Sequence, residues 1–336
     1  MMEPLTSPLA GLRSRGVDVG GVGPVYVLLL GAAVFLLVGC LQSAHFAFLT
    51  VNGLAVGAAY GGLALALVLI YRATHVINFA QGELAMLTTY VAYQLIRWGL
   101  SYWEAFFATL AIAFVLGTLL QVTLIRPVQH RSVIAAVIVT VGLFILIDGI
   151  VNWVWGGDFK FIPAPFGNGQ YDVGGVQIQH LYVGMFGVVL ASTVLIWALF
   201  RFTKLGLGMR AAALRPASAA LVGVRVEVML ALGWGLAAVL GAVAGLMYEG
   251  SQLFLQPTLM QQALVYAFAA AVLGGLESPV GAIVGGLAIG VFLELLPAYV
   301  TSIGSELQLP VAFAVLLAIL LVKPSGLFGR REVRRV

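Results

Sequence analysis

The sequence has few charged residues, and this scarcity excludes a water-soluble globule. Only 9% of its 336 residues are Asp, Glu, Lys or Arg, whereas 62% are hydrophobic. In soluble domains about a quarter of the residues are charged. The surface of this chain must therefore meet lipid, where only helices and closed barrels satisfy every backbone polar group. Because the apolar runs are long and do not alternate, they predict an all-α polytopic membrane protein.

The groupings that carry enzymatic or metal chemistry are also missing. Cys40 is the single cysteine, so no disulfide can form within the chain. The four histidines are far apart and lack metal-ligand spacing. No Gly-x-x-x-x-Gly-Lys-Ser/Thr run is present, which excludes a P-loop for ATP in this chain. We therefore predict no catalytic residue, no metal site and no cofactor in this chain, and the net charge of +4 gives no indication of nucleic acid binding.

About ten apolar spans follow one another along the chain. Each is roughly long enough to cross a hydrocarbon core of about 30 Å. One short connection, at residues 276–279, leaves open whether its two flanking spans are full crossings or short re-entrant helices. The first span ends near Cys40 in a stretch like a lipoprotein cleavage box, although a retained first transmembrane helix is favoured. The spans are 25–41, 46–70, 83–99, 103–125, 133–151, 180–200, 228–248, 258–275, 280–297 and 308–322.

The 41 glycines have a use in such a bundle. Small residues four positions apart let helix backbones approach closely in lipid. The spacing therefore predicts helix–helix contacts at four sets of glycines. These are Gly53/Gly57/Gly61, Gly241/Gly245, Gly281/Gly285 and Gly286/Gly290.

The charges of the loops predict the orientation. Basic residues crowd 126–132, 201–227 and the tail at 323–336, whereas 152–179 contains no arginine. Loops rich in Lys and Arg stay in the cytoplasm. We therefore expect a cytoplasmic N-terminal segment at 1–24, a transmembrane domain at 25–322 and a basic cytoplasmic tail, with both termini inside.

Turn residues in the extracytoplasmic loop, together with alternation near 171–179, predict a small hairpin there.

Residues 75–83 place polar side chains where one helix stops and the next begins. Asn78, Gln81 and Glu83 lie side by side, and we expect Gly82 to break the helix. Transporters build solute sites from broken helices of this kind. The alternative is an interfacial turn without solute contact.

The cytoplasmic segment 201–227 predicts a short helix across the membrane face. Pro216 suits the first helical position, residues 217–222 continue the helix, and Gly223 ends it. Such a helix would fit into the groove of a partner protein. The alternative is a solvated linker with a helical turn.

At these residues the chain resembles the branched-chain amino acid permease family of ABC importers, specifically its shorter membrane subunit. Residues 77–83, Ile-Asn-Phe-Ala-Gln-Gly-Glu, are similar to the signature of that family. Other similar motifs follow in order from about residue 50 to the C-terminus. They are Val-Asn-Gly-Leu at 51–54, the coupling loop at 208–224, the glycine-rich motif at 269–282 and Lys-Pro-Ser-Gly-Leu-Phe-Gly at 323–329.

The resemblance implies one half of the permease of an ATP-driven importer in a bacterial or archaeal inner membrane. Its partners would be a homologous second permease subunit in a heterodimer, two ATP-binding subunits that hold ATP and Mg²⁺, and an extracytoplasmic solute-binding protein. The solute would be a branched-chain or related amino acid, or urea or a short amide. For the solute path we predict Asn52, Tyr60, Asn78, Gln81 and Glu83. For coupling to the ATPase we predict Arg210, Arg215, Pro216, Ala219 and Gly223.

The sequence departs from this family at the predicted coupling helix. Arg215 takes the place of the usual Asn or Asp before Pro216 and caps a helix poorly. We therefore expect a differently charged groove on the partner ATPase. The competing interpretation is a stand-alone secondary transporter or channel for small polar solutes. It would need intramembrane ion-coupling charges and often an inverted repeat, and the sequence offers little of either.

Overall fold

A computed structural model describes residues 23–129, 132–167, 169–252, 254–300, 307–322 and 326–329. A helix lies at each of the ten predicted spans. Three further short helices, α5, α8 and α9, lie in the connections between these spans. The helices are α1 Gly23–Gln42, α2 Ala44–Thr74, α3 Gln81–Arg97, α4 Tyr102–Leu120, α5 Arg126–Gln129, α6 Val133–Trp155, α7 His180–Phe202, α8 Lys204–Leu214, α9 Pro216–Leu221, α10 Val226–Gly250, α11 Leu259–Gly274, α12 Pro279–Tyr299 and α13 Gln308–Val322.

Within the described part of the chain, six helices are long and apolar enough to cross a membrane. They are α2, α4 with its continuation to Gln129, α6, α7, α10 and α12. The apolar stretches of α11, α13 and the described end of α1 are shorter. An all-α polytopic membrane protein is therefore confirmed, while ten full crossings remain a prediction. Of the predicted N-terminal segment at 1–24 and the predicted tail at 323–336, residues 1–22, 323–325 and 330–336, and with them both termini, lie outside the described residues.

Serine side chains fix where several helices begin. In each case the hydroxyl accepts a hydrogen bond from a backbone N–H in the first turn, which would otherwise lack a partner. At the start of α4, the Glu104 carboxylate also accepts from the backbone N–H of Ser101, which completes a capping box. The capping serines are Ser43, Ser101, Ser132 and Ser278.

Helix α2 is the centre of the bundle. It packs against α7, α10, α11 and α12, and 94% of its most apolar stretch is buried. By contrast, the corresponding stretches of α4 and α6 are each only 28% buried, so most of their surface remains free for lipid or a partner subunit.

The contact between α2 and α12 depends on glycine, as the spacing predicts. A Cβ at Gly57 would lie 2.7 Å from the carbonyl oxygen of Gly286, and one at Gly290 would lie 2.3 Å from the Cα of Gly57. The other predicted sets also lie at contacts: Gly245 faces Thr89 on α3, and Gly285 faces α11. Small residues therefore set the spacing of these helices.

A two-stranded antiparallel hairpin lies between α6 and α7, as predicted. Strand β1, Gln170–Val173, pairs with strand β2, Val176–Gln179, through a turn at Gly174 and Gly175. Both glycines have positive φ, which this tight hairpin turn requires. Because α6 and α7 each have 23 residues, about 35 Å of helix, the hairpin lies on the face opposite to α8 and α9.

Candidate functional site

Helical structure is interrupted at residues 75–80, between α2 and α3, inside the bundle. Helix α2 ends at Thr74, and His75 follows in the left-handed conformation with φ of 54°. Residues 76–80 are not helical, and α3 begins at Gln81. The Gln81 amide donates to the carbonyl oxygen of Ala237, at the middle of α10. The amino end of α3 therefore begins at the depth where α10 is half-way across, and irregular backbone at that depth is tolerated only when protein or a cavity surrounds it.

The side chains of Asn78 and Gln81 hold this interruption together. Asn78 Nδ2 donates to Gln81 Oε1 at 3.1 Å, and Asn78 Oδ1 accepts from the backbone N–H of Ala80 at 3.1 Å. Gln81 Nε2 donates to the carbonyl oxygen of Ala237 at 3.0 Å. Both side chains are fully buried. Because these bonds occupy them, their evident role is to fix the amino end of α3 against α10.

The prediction that Gly82 breaks the helix is wrong. Gly82 lies within the first turn of α3, and the break comes before it, after His75. A Cβ at Gly82 would lie 3.0 Å from the Cβ of Leu264 and 3.1 Å from the carbonyl oxygen of Met260. The absence of a side chain here lets α3 approach α11 closely.

Glu83 is the unusual residue of the group. Its side chain is fully buried, and neither carboxylate oxygen has a hydrogen-bond partner among the described residues. The Gln261 amide and the Asp148 carboxylate approach it from α11 and α6. A buried carboxylate without a partner is costly, and in a membrane protein it usually marks a functional position.

Tyr60 belongs to a second polar group, nearer the end of the bundle that carries the hairpin. Its ring centroid lies 5.6 Å from that of Tyr248 and 5.1 Å from that of Tyr266. Gln262 donates to the hydroxyl of Tyr266 at 2.6 Å. The spacing of Gln262 and Tyr266, four residues apart on α11, was the available signal for this cluster, which the analysis of the sequence missed.

Asn52 lies apart from both groups. It is eight residues before Tyr60 on α2, a separation of about 12 Å along the helix axis. Its Oδ1 is buried without a partner among the described residues. Glu249 lies in α10 and is only 3% exposed, because α10 continues to Gly250 and remains packed near its end, as the buried Tyr248 shows.

The segment 201–227 contains the predicted short helix. Helix α9 begins with Pro216 at its first position and ends at Leu221, one residue earlier than expected. The N–H of Gly223 donates to Ala220 and the N–H of Val224 to Ala219, and Gly223 has φ of 84°. This is the Schellman arrangement that commonly ends helices. Arg215 makes no side-chain cap, in agreement with its poor fit to that role.

Helix α9 presents an apolar outer surface. Ala219 is buried against the rest of the protein, whereas Leu221 and Val222 are 89% and 79% exposed. Arg215 is exposed and Arg210 half-buried, with Arg210 Nε donating to the carbonyl oxygen of Gly206 at 3.4 Å. An ion pair between Arg126 and Glu227 joins the start of α5 to the start of α10 on the same face. This pair places the two arginine-containing connections on one side, as predicted.

A metal site would need several ligating side chains in one place. In the described ranges, no three His, Cys, Asp or Glu side chains come together as a set of ligands.

Residues 49–320 match the family described as branched-chain amino acid transport system / permease component. The chain belongs to this family. It is 31% identical over 304 residues to the high-affinity branched-chain amino acid transport system permease protein LivH of Salmonella typhimurium, covering 85% of this chain and 96% of LivH. It is 30% identical over 305 residues to the corresponding BraD protein of Pseudomonas aeruginosa, covering 87% and 98%. A probable LivH of Methanocaldococcus jannaschii is 29% identical over 284 residues, covering 80% and 87%.

A structural similarity, with a TM-score of 0.45 and 17% identity, relates 87% of this chain to 97% of a chain in PsaBC from Streptococcus pneumoniae in complex with Fab, and it supports no further conclusion.

As a permease of this family, the chain is a membrane-embedded transport subunit. The matched residues include both the interruption before α3 and the α8–α9 segment, and they exclude α1. The two polar groups and the exposed apolar helix therefore lie within the part of the chain that the family shares.

Proposed function

We propose that this permease forms half of the translocation path of an ATP-driven importer for branched-chain or related amino acids, or for urea or short amides. The second half would come from a homologous permease subunit. Two ATP-binding subunits on the cytoplasmic face and an extracytoplasmic solute-binding protein would complete the complex in a bacterial or archaeal inner membrane. The names of the relatives, which describe branched-chain amino acid transport systems, support the solute class.

The observation that carries the coupling proposal is the apolar surface of α9. Leu221 and Val222 are large, exposed apolar side chains, and on the cytoplasmic face that we propose for α9 water would otherwise surround them. A short helix with such a surface fits a groove in a partner protein. The Schellman end and the buried Ala219 hold α9 to α8 and α10, so that a push on α9 would move the bundle as a rigid body.

Glu83, Asn52 and Tyr60 would line the solute path. Glu83 and Asn52 carry buried polar atoms without partners, and Tyr60 belongs to a buried polar cluster. Asn78 and Gln81 would act indirectly, because their hydrogen bonds position the amino end of α3. Polar groups that are this expensive in lipid usually face the interior of the bundle.

The experiment is affinity purification of the tagged permease from membranes of its own host. We expect the wild-type chain to bring two ATP-binding subunits with it. Leu221→Asp should lower their recovery at least tenfold, because a charge would replace an apolar contact of α9. Val173→Asp is the matched control, since Val173 is 60% exposed but lies on the hairpin of the opposite face. Uptake of solute by the purified chain alone, without any ATPase, would contradict the proposal.

A further inference from the structure

Among the described residues, neither Glu83 nor Asp148 forms an ion pair. The ion pairs Arg126–Glu227 and Lys160–Asp158 lie elsewhere. Asn78 and Gln81 bond to one another, whereas the buried carboxylate of Glu83 faces only the neutral amide of Gln261 and the carboxylate of Asp148. A buried carboxylate that faces no cation offers acceptors and no donor, and therefore suits a ligand that carries a positive charge and N–H groups.

Contacts between α3 and α6 bring Asp148 close enough to Glu83 for the two charges to act on each other. Toward the amino end of α6, Thr140 Oγ1 donates to the carbonyl oxygen of Ile77 at 3.4 Å. At the carboxyl end of α6, Trp155 Nε1 donates to Gln94 Oε1 at 3.0 Å. Asp148 lies midway between Thr140 and Trp155, and Glu83 lies between Ile77 and Gln94. The two helices therefore run side by side through this level, where the carboxylates approach each other.

A third helix, α11, packs against α3 at the same level. Gly82 lies against Met260 and Leu264, with no space for a side chain between the helices. Gln261 follows Met260, and its amide turns to Glu83. On α6, Asn152 Nδ2 donates to Asp148 Oδ1 at 3.3 Å and helps to orient that carboxylate. Three helices thus bring two carboxylates and one amide to a single place.

We propose that Glu83 and Asp148, with Gln261 beside them, form a subsite for the ammonium group of the transported solute. This inference rests on the proposed function and adds the part of the solute that is recognised. A cation held between two carboxylates forms charge-assisted hydrogen bonds and relieves their mutual repulsion. The Gln261 carbonyl oxygen supplies a further acceptor.

The subsite distinguishes between the solutes that the family resemblance leaves open. An amino acid brings an ammonium group, whereas urea and short amides are neutral. A site whose buried polar groups need a charged partner discriminates strongly against analogues that lack it. The pair of carboxylates therefore favours amino acids over neutral amides as the cargo of this permease.

The test is protection of Glu83 against dicyclohexylcarbodiimide, an apolar reagent that modifies carboxyl groups within membrane proteins. The purified complex is labelled without nucleotide or binding protein, and the modification of Glu83 is followed by mass spectrometry. Four additives separate the contributions of the two charges. Leucine carries both the ammonium group and the carboxylate, leucinamide carries only the ammonium group, and N-acetyl-leucine carries only the carboxylate. Acetamide carries neither charge. We expect leucine and leucinamide to slow labelling severalfold and the other two to leave it unchanged.

Controls within the same experiment make the result specific. Glu249, also buried, lies outside this cluster and should label at the same rate with every additive. Asp148→Asn keeps Glu83 in place and should raise the half-protecting concentration of leucine severalfold. Equal protection by all four additives, protection by none, parallel protection of Glu249, no labelling of Glu83, or an unchanged response in Asp148→Asn would overturn the subsite. Because the measurement needs no ATP-driven uptake, a complex that fails to import would count against the proposed function and leave this readout intact.

Discussion

At the contact between α2 and α12, the missing side chain of Gly57 lets two backbones approach. A Cβ on Gly57 would lie 2.7 Å from the carbonyl oxygen of Gly286 and 3.0 Å from the Cα of Leu287. Both neighbours are backbone atoms of a packed helix, so neither can rotate away. In lipid, where apolar side chains gain little by leaving the solvent, this close packing supplies much of the attraction between helices.

Gly57→Leu should therefore destabilise the fold. Inserting a side chain into a packed contact costs about 1–3 kcal/mol, and the backbone neighbours favour the upper end. The measurement is the midpoint of thermal unfolding of the purified protein in detergent, which should fall by several degrees. Gly187→Leu is the control, because Gly187 on α7 has open space around it. An equal fall in both variants would show that helix propensity or hydrophobicity, and not the α2–α12 contact, sets the effect.

The sequence could predict these glycine contacts because a four-residue spacing places residues on one helix face. It could also predict that Asn78, Gln81 and Glu83 belong to one region. It could not predict their division of labour. That depends on a hydrogen bond from Gln81 to the carbonyl oxygen of Ala237, which is 156 residues away in the sequence. It also depends on Asp148, which approaches Glu83 from another helix. Gly82 shows the same limit, since its role is a contact with α11 and not a break in its own helix.

At the scale of elements, α9 is a six-residue helix whose ends are fixed locally. Pro216 begins it with a suitable φ, and Gly223 ends it in a conformation that other residues adopt only at a cost. The sequence could predict both ends because proline and glycine act through their own backbone geometry. The outward direction of Leu221 and Val222 follows only from the packing of Ala219 against the protein.

Gly223→Val should loosen the end of α9. A left-handed residue with a Cβ costs about 1–2 kcal/mol, and a β-branched side chain is the least tolerant. Trypsin cleavage after Arg225, two residues beyond, reports this opening, and an increase of about 5- to 30-fold corresponds to that free energy.

Gly223→Asn is the matched variant, because Asn adopts the left-handed conformation more readily than most residues. Its cleavage rate should lie close to wild type, and cleavage after Lys160, on the opposite face, should stay constant in both variants. Equal cleavage of the Val and Asn variants would show that the Schellman end does not hold α9.

At the scale of the whole molecule, charge and topology agree. The hairpin and the α8–α9 segment lie at opposite ends of α7, and the arginines belong to the second of these. The number of spans does not follow as simply from composition. Helix α3 has 17 residues and begins inside the bundle, so a long apolar run does not always correspond to a full crossing.

The orientation is open to a direct test with introduced cysteines, because Cys40 is the single native cysteine and one substitution removes it. In a Cys40→Ser background, Val173→Cys introduces a thiol on the hairpin, and Leu221→Cys introduces one at the end of α9; the native side chains there are 60% and 89% exposed. A membrane-impermeant maleimide added to intact cells should label position 173 at once. It should label position 221 only after detergent opens the membrane, because loops rich in Lys and Arg remain in the cytoplasm. The reverse pattern would place α9 outside the cell, where no ATP-binding subunit could reach it, and the coupling proposal would fail with it.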